Sequence, residues 1–107
     1  MANTNPFEAL GNPTRRALFE LLRKGARSVT ELAAALPVSQ PAVSQHLQVL
    51  RDARLVRVQK SGQQRIYSID PEGVAELRSY LEDLWDEVLG AFERAAAESN
   101  LGEEHNE

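Results

Sequence analysis

SQPAVSQHLQVLRDA, residues Ser39 to Ala53, reads as one helix around which the rest of the chain is arranged. Ser39 is a good N-cap, because its oxygen can accept from the free amides of a first turn, and Pro41 falls where a missing N–H costs nothing. Val43, Leu47 and Leu50 recur at helical spacing and form an apolar stripe. The opposite face carries Pro41, Ser44, Gln45 and Gln48, without the Glu/Lys mixture of an ordinary solvated helix. Amides and hydroxyls that reach out from the first turns of a helix suit the donor and acceptor edges of bases in a major groove. The bland alternative is an amphipathic helix whose outer face happens to be uncharged, and its neighbours argue against that.

Upstream, Pro6 to Leu10 forms a short helix with Phe7 and Leu10 as its apolar contacts, and Gly11 ends it. Asn12-Pro13 opens a second helix that runs to about Lys24, burying Ala17, Leu18, Leu21 and Leu22, with Gly25 as its stop. Ser28-Val-Thr-Glu31 is a capping box that starts a third helix, with Leu32, Ala33 and Leu36 facing inward. Leu36-Pro37-Val38 is a tight turn, so the third and fourth helices form a helix-turn-helix unit.

Downstream, the period changes. Val56 and Val58 alternate with Arg57 and Gln59, so Leu55 to Lys60 reads as a strand. Ser61-Gly62-Gln63 supplies a turn and Arg65 to Ile69 the return strand. A hairpin placed directly after a helix-turn-helix is a wing, with Lys60, Gln63, Gln64 and Arg65 at its tip, in reach of a phosphate or a minor groove. Exposed hairpins are commonly polar for no further reason. Asp70-Pro71 opens the last helix, where Val74, Leu77, Leu81, Leu84, Trp85, Val88 and Phe92 follow spacings of three and four, close to a heptad seam. Such a stripe either finds a partner or folds back on its own domain.

The expected architecture is mostly α with a small β-hairpin: a winged helix-turn-helix in the order α-α-α-α-β-β-α. The expected boundaries are a disordered start over 1–5, one domain over 6–97 and an acidic disordered tail over 98–107.

Charge supports a nucleic-acid partner once it is divided. The 107 residues carry a net charge of −4. Residues 1–65 hold ten Lys/Arg against four Asp/Glu, a balance of +6, whereas residues 66–107 hold two against twelve, a balance of −10. The local field within a Debye length matters more than the total, so a basic body with an acidic end can still bind phosphate, and its acidic segment should face away from DNA. There is no cysteine, which excludes disulfides and thiolate metal sites. No apolar run approaches the roughly 18 to 20 residues of a membrane span, and MANTNPFEAL has no secretory pattern, so a cytoplasmic protein without a membrane partner is expected. Catalysis has little support: Ser44 and His46, two apart on a helix, do not face each other, and no phosphate loop or metal cluster appears.

Asn12-Pro-Thr-Arg-Arg-Ala-Leu18, Glu31-Leu-Ala33, Ser39-Gln-Pro-Ala-Val-Ser-Gln-His-Leu47 and Leu50-Arg-Asp-Ala-Arg-Leu-Val56, with Gly62 and Tyr67 in the hairpin, resemble the ArsR family of winged-helix repressors. The likeness covers roughly residues 6–92. Asn12 stands where Asp is usual and caps as well. Arg54 stands where Gly is usual, which predicts a different cap for that helix. The resemblance implies a homodimer built on the first and last helices, with Phe7, Leu10, Leu77, Leu81, Leu84, Trp85, Val88 and Phe92 as its interface. It also implies an imperfect inverted-repeat operator near the protein's own promoter, with recognition helices about 34 Å apart.

Many members of that family sense metals. Here the third helix lacks their cysteine pairs and the last helix lacks their histidines; the histidines are His46 and His105. Carboxylates alone bind soft transition metals poorly. The chain is more similar to cysteine-free members that repress without a metal, often encoded beside START-like ligand-binding proteins, so no metal and no cofactor are expected.

The resulting expectation is a homodimeric repressor of double-stranded DNA. Gln40, Ser44 and Gln45 would read bases. Ser39, His46, Lys60 and Arg65 would hold the backbone, Gln48 would do either, and Pro41, Ala42, Gln63 and Gln64 would complete the surface. His46 suits a phosphate contact or simple closure of the turn. Arg15 and Arg16 suit phosphate, or an acid such as Glu20 or Glu31. Two other uses stay open: a winged helix serving protein assembly, and a repressor with a small-molecule site near Trp85.

Overall fold

Proline preceded by a polar cap sets three of the five helices in the computed structural model, which describes residues 4–103, the side chains of 100–103 excepted. Helix α1 (Pro6–Leu10) is capped by Asn5, whose Oδ1 accepts from the Phe7 amide at 2.8 Å. Helix α2 (Pro13–Arg23) is capped by Asn12. Helix α5 (Pro71–Glu103) follows Asp70, whose Oδ1 accepts from the amides of Glu72 and Gly73. A short oxygen side chain satisfies amides that have no intrahelical partner, and proline wastes none. Asn5, the last residue of the start expected to be disordered, is the cap of α1; residues 1–3 lie outside the described residues.

Helix α3 (Val29–Ala35) begins with the full capping box: Ser28 Oγ accepts from the Glu31 amide, and Glu31 Oε1 accepts from the Ser28 amide at 2.9 Å. The Ser28 amide and then its hydroxyl hold the Glu31 carboxyl below its usual range. That stabilisation is present above the ordinary carboxylate pKa and is lost as the pH falls through the lowered value. Helix α4 (Gln40–Asp52) follows after the short turn, capped by Ser39.

A strand was missed by the sequence reading. Strand β1 (Arg27–Ser28) pairs antiparallel with β3 (Gln64–Ile69), which pairs in turn with β2 (Val56–Ser61), so the expected hairpin is a three-stranded sheet ordered β1-β3-β2. Two residues show no alternation, and Ser28 was already accounted for as a cap. The hairpin loop is also tighter than expected. Ser61 pairs with Gln64, leaving Gly62-Gln63, with Gly62 at φ +63°, the pattern of a type II′ turn.

The junction after α4 corrects a second expectation. Arg54 does not force a different cap; it takes the left-handed conformation itself, at φ +63°. The Leu55 amide donates to the Leu50 carbonyl and the Arg54 amide to the Arg51 carbonyl, which is a Schellman motif with arginine in glycine's place. The beginning of α5 closes on this corner. A Cβ on Gly73 would sit 1.5 Å from the Arg54 carbonyl oxygen, so only glycine fits there.

The chain divides into two units between Ala75 and Glu76. In the first, Leu18, Leu32, Val43, Leu47, Leu50 and Leu55 are fully buried, with Ala9, Leu22, Ala53, Val56 and Tyr67 around them. In α1 it is Ala9 that is buried, whereas Leu10 is half-buried and Phe7 exposed; Ala17, Leu21, Ala33 and Leu36 are also only half-buried. The second unit is the remainder of α5, which continues past the expected end at Ala97 to Glu103; the rest of the expected tail, 104–107, lies outside the described residues. No helix among the described residues is long and apolar enough to cross a membrane.

Candidate nucleic-acid interface

The stripe of α4 is sealed into the core, since Val43, Leu47 and Leu50 are each 0 % exposed. A helix anchored on one side this way has a fixed rotation, so its outer residues are presented in one orientation only. Gln40, Pro41, Ser44, Gln45 and Gln48 are exposed and Ala42 half-buried.

The wing tip comes to the same place. An open cleft of about 250 Å³ is lined by Gln40 and Ser44 of α4, by Gln63, Gln64 and Arg65 of the hairpin, and by Ser28, Val29 and Thr30 at the start of α3. Five of the expected residues, separated by some twenty positions in the chain, therefore share one concave surface. Ser28, Val29 and Thr30 were missed. The available signal was positional: the first helix of a helix-turn-helix crosses the DNA backbone, which places its first turn near phosphate.

Lys60 and Arg65 are direct cross-strand partners, and both are exposed. Like charges opposed in this way are destabilising unless an anion neutralises them. Their strand positions continue the Val56/Val58 and Tyr67/Ile69 face beyond the core, so two cations extend from the buried side of the sheet.

Two expected contacts have partners inside the protein. Gln48 Nε2 donates to Asp52 Oδ1 at 2.9 Å, one turn along, which orients its amide and leaves Oε1 as an acceptor. His46 is half-buried on a flank of α4 roughly 200° around the axis from Ser44, and its Nδ1 lies 3.4 Å from Arg15 Nη1. Arg15 meets neither Glu20 nor Glu31. Glu20 pairs with Arg23 at 2.6 Å and Glu31 is held by Ser28, so neither acid is available to it.

Along α5 the expected interface residues Leu81, Leu84, Trp85, Val88 and Phe92 are exposed, as are Tyr80 and Leu89, while Leu77 is half-buried. Among the described residues no group of three or more His, Cys, Asp and Glu is placed to hold a metal; His105 lies outside them.

Comparison with known proteins fits this geometry. A helix-turn-helix domain family matches residues 10–59. The HTH-type transcriptional regulator Rv2034 of Mycobacterium tuberculosis is 49 % identical over 86 residues, covering 80 % of this chain and 80 % of its own. The transcriptional repressor SdpR of Bacillus subtilis is 33 % identical over 66 residues, covering 62 % of this chain and 73 % of its own. Among solved structures, a homodimeric winged helix-turn-helix DNA-binding domain of Mycobacterium bovis, Mb0332, a possible ArsR-family regulator, superposes with a TM-score of 0.62 at 32 % identity, over 78 % of this chain and 77 % of its own.

Proposed function

Because this chain belongs to the ArsR family of winged helix-turn-helix transcriptional regulators, we propose that it is a homodimeric autorepressor that binds an inverted-repeat operator without a metal cofactor. The observation that carries the reading is the cleft in which the uncharged outer face of α4 meets the wing tip. Gln40 and Ser44 read base edges there and Gln45 does so from the exposed surface of α4 outside the cleft, since amides and hydroxyls can donate and accept in the major groove. Arg65, with Lys60 opposite, holds the phosphate backbone, and Ser39 and Thr30 add neutral contacts to it. Gln48, oriented by Asp52, serves either purpose. Phe7, Leu10 and the α5 stripe join the two copies.

The donor set supports metal independence. The chain has no cysteine and α5 has no histidine, so the sites used by the family's metal sensors have no counterpart in these residues. A cytoplasmic location follows from the same reading.

Fluorescence anisotropy on the DNA upstream of the protein's own gene, beside a scrambled duplex, tests this in a salt series with and without zinc. The expected result is tight binding to the native duplex alone, weakening steeply with salt and indifferent to zinc. Equal weak binding to both duplexes would favour a role in protein assembly, and release by zinc would overturn the metal-independent reading.

A further inference from the structure

Arg15 stands in the first turn of α2, yet its guanidinium is committed inside the protein. Nε donates to the Ala9 carbonyl at 2.7 Å and Nη2 to the Glu8 carbonyl at 3.4 Å, both near the C-terminal end of α1. Nη1 lies 3.4 Å from His46 Nδ1 on α4. One planar group therefore bridges three helices, using the fork of donors that lysine lacks.

The chemistry of this contact favours one tautomer of His46. A guanidinium only donates, so a hydrogen bond at this contact requires the Nδ1 lone pair, which places the proton of a neutral ring on Nε2. Nε2 has no hydrogen-bond partner among the described residues, and because no buried side-chain nitrogen or oxygen among them lacks one, Nε2 is not sealed from solvent. The ring is thus held at one nitrogen and leaves the other as a donor on a flank of α4, roughly 200° around the axis from Ser44 and so off the face that lines the cleft, where a backbone phosphate rather than a base is the partner in reach.

We propose that Arg15 is a positioning residue for DNA binding: it fixes His46 as the Nε2–H tautomer, so that Nε2–H donates to a DNA phosphate oxygen, and it ties that donor to the end of α1. The proposal rests on the reading of α4 as the DNA-facing helix. It resolves the two roles open to His46, because the ring closes an internal contact with one nitrogen and meets phosphate with the other. An arginine that merely capped α1 would need the two carbonyls and would be indifferent to residue 46.

A double-mutant cycle tests it. Arg15→Met and His46→Ala should each weaken operator binding by roughly tenfold, as loss of a hydrogen bond to a charged group does. Adding Arg15→Met to His46→Ala should then cost less than about twofold more; fully additive losses would overturn the proposal. His46→Gln, whose amide nitrogen reaches the Nε2 position, should recover part of the affinity lost in His46→Ala even alongside Arg15→Met. If Arg15→Met does not fold, Arg15→Lys keeps the charge and loses the fork. Nitrogen-15 NMR of the DNA-free protein reads the tautomer directly: Nδ1 bare and Nε2 protonated in the parent, drifting toward free-imidazole averages in the Arg15 variant. An unchanged tautomer sinks the proposal alone, whereas a parent that binds no duplex sinks the DNA reading and the proposal with it.

Discussion

Helix α4 and the stretch of α5 beyond Ala75 are both amphipathic, and they end with opposite surfaces. In α4 the apolar stripe is completed by its own chain, with Leu47 at 0 % exposure, and what remains exposed over its first turns, Gln40, Pro41, Ser44, Gln45 and Gln48, is uncharged, with Arg51 as the exposed charge near its end. In α5 the stripe itself is outside, with Trp85 61 % and Phe92 69 % exposed, between acids such as Glu82, Asp83, Asp86 and Glu87. An apolar face held in water is a standing cost that association removes, whereas a polar face on an anchored helix costs nothing until a ligand arrives. One helix is therefore finished and displays a polar face; the other keeps an apolar stripe exposed, which is the face we propose a second copy covers.

The sharpest way to break this contrast is at the start of α5. Gly73→Ala places a methyl into the Arg54 carbonyl oxygen, and should cost on the order of 3 kcal/mol or more. A thermal melt checks it; an unchanged Tm would mean that the α4–β2 corner yields and that this turn of α5 is not part of the self-contained unit. Next is the exposed stripe. Trp85→Asp should cost association about 2 kcal/mol or more while leaving helicity intact. Sedimentation should show dimer giving way to monomer, and a dimer that survives would remove α5 from the interface.

Gln45→Ala probes the finished helix. It should lose roughly 1–3 kcal/mol on the operator and little on random DNA. Equal weakening on both would assign Gln45 to the backbone and end the base-reading account of that face. The smallest effect expected is at the helix end. Arg54→Gly should stabilise the fold by about 0.5–1 kcal/mol, because glycine takes the left-handed conformation without a Cβ clash but carries more unfolded-state entropy. No gain in urea denaturation would show that the arginine side chain offsets its own backbone cost.

Local rules made most of the elements legible. The caps at Asn12, Ser28, Ser39 and Asp70, the stripe of α4 and the alternation of β2 depend on neighbours within a turn or two, so they can be read from order alone. Strand β1 was not legible, because two residues have no periodicity and become a strand only when β3 lies beside them. Arg54 misled for a related reason. The Schellman bonds and the packing on Gly73 impose the backbone conformation there, and the residue complies at a cost of roughly 1–2 kcal/mol. The same applies to Ala9: small and unremarkable in sequence, it is fully buried, while Phe7 beside it is exposed.

For the site, residue type and order alone determined that the first turns of α4 carry an uncharged outer face, that a wing follows it, and that the chain has no cysteine. Side-chain chemistry and helical period are properties of the chain itself, and they survive any packing. Only the tertiary structure decided which of these residues meet. It set Gln40 and Ser44 across from Gln63, Gln64 and Arg65, brought Thr30 into the same cleft, and turned Arg15 inward to the end of α1 and His46. Those meetings depend on how α1, α2, α3 and the sheet close over one shared core, a constraint distributed over the unit that no single stretch of sequence contains.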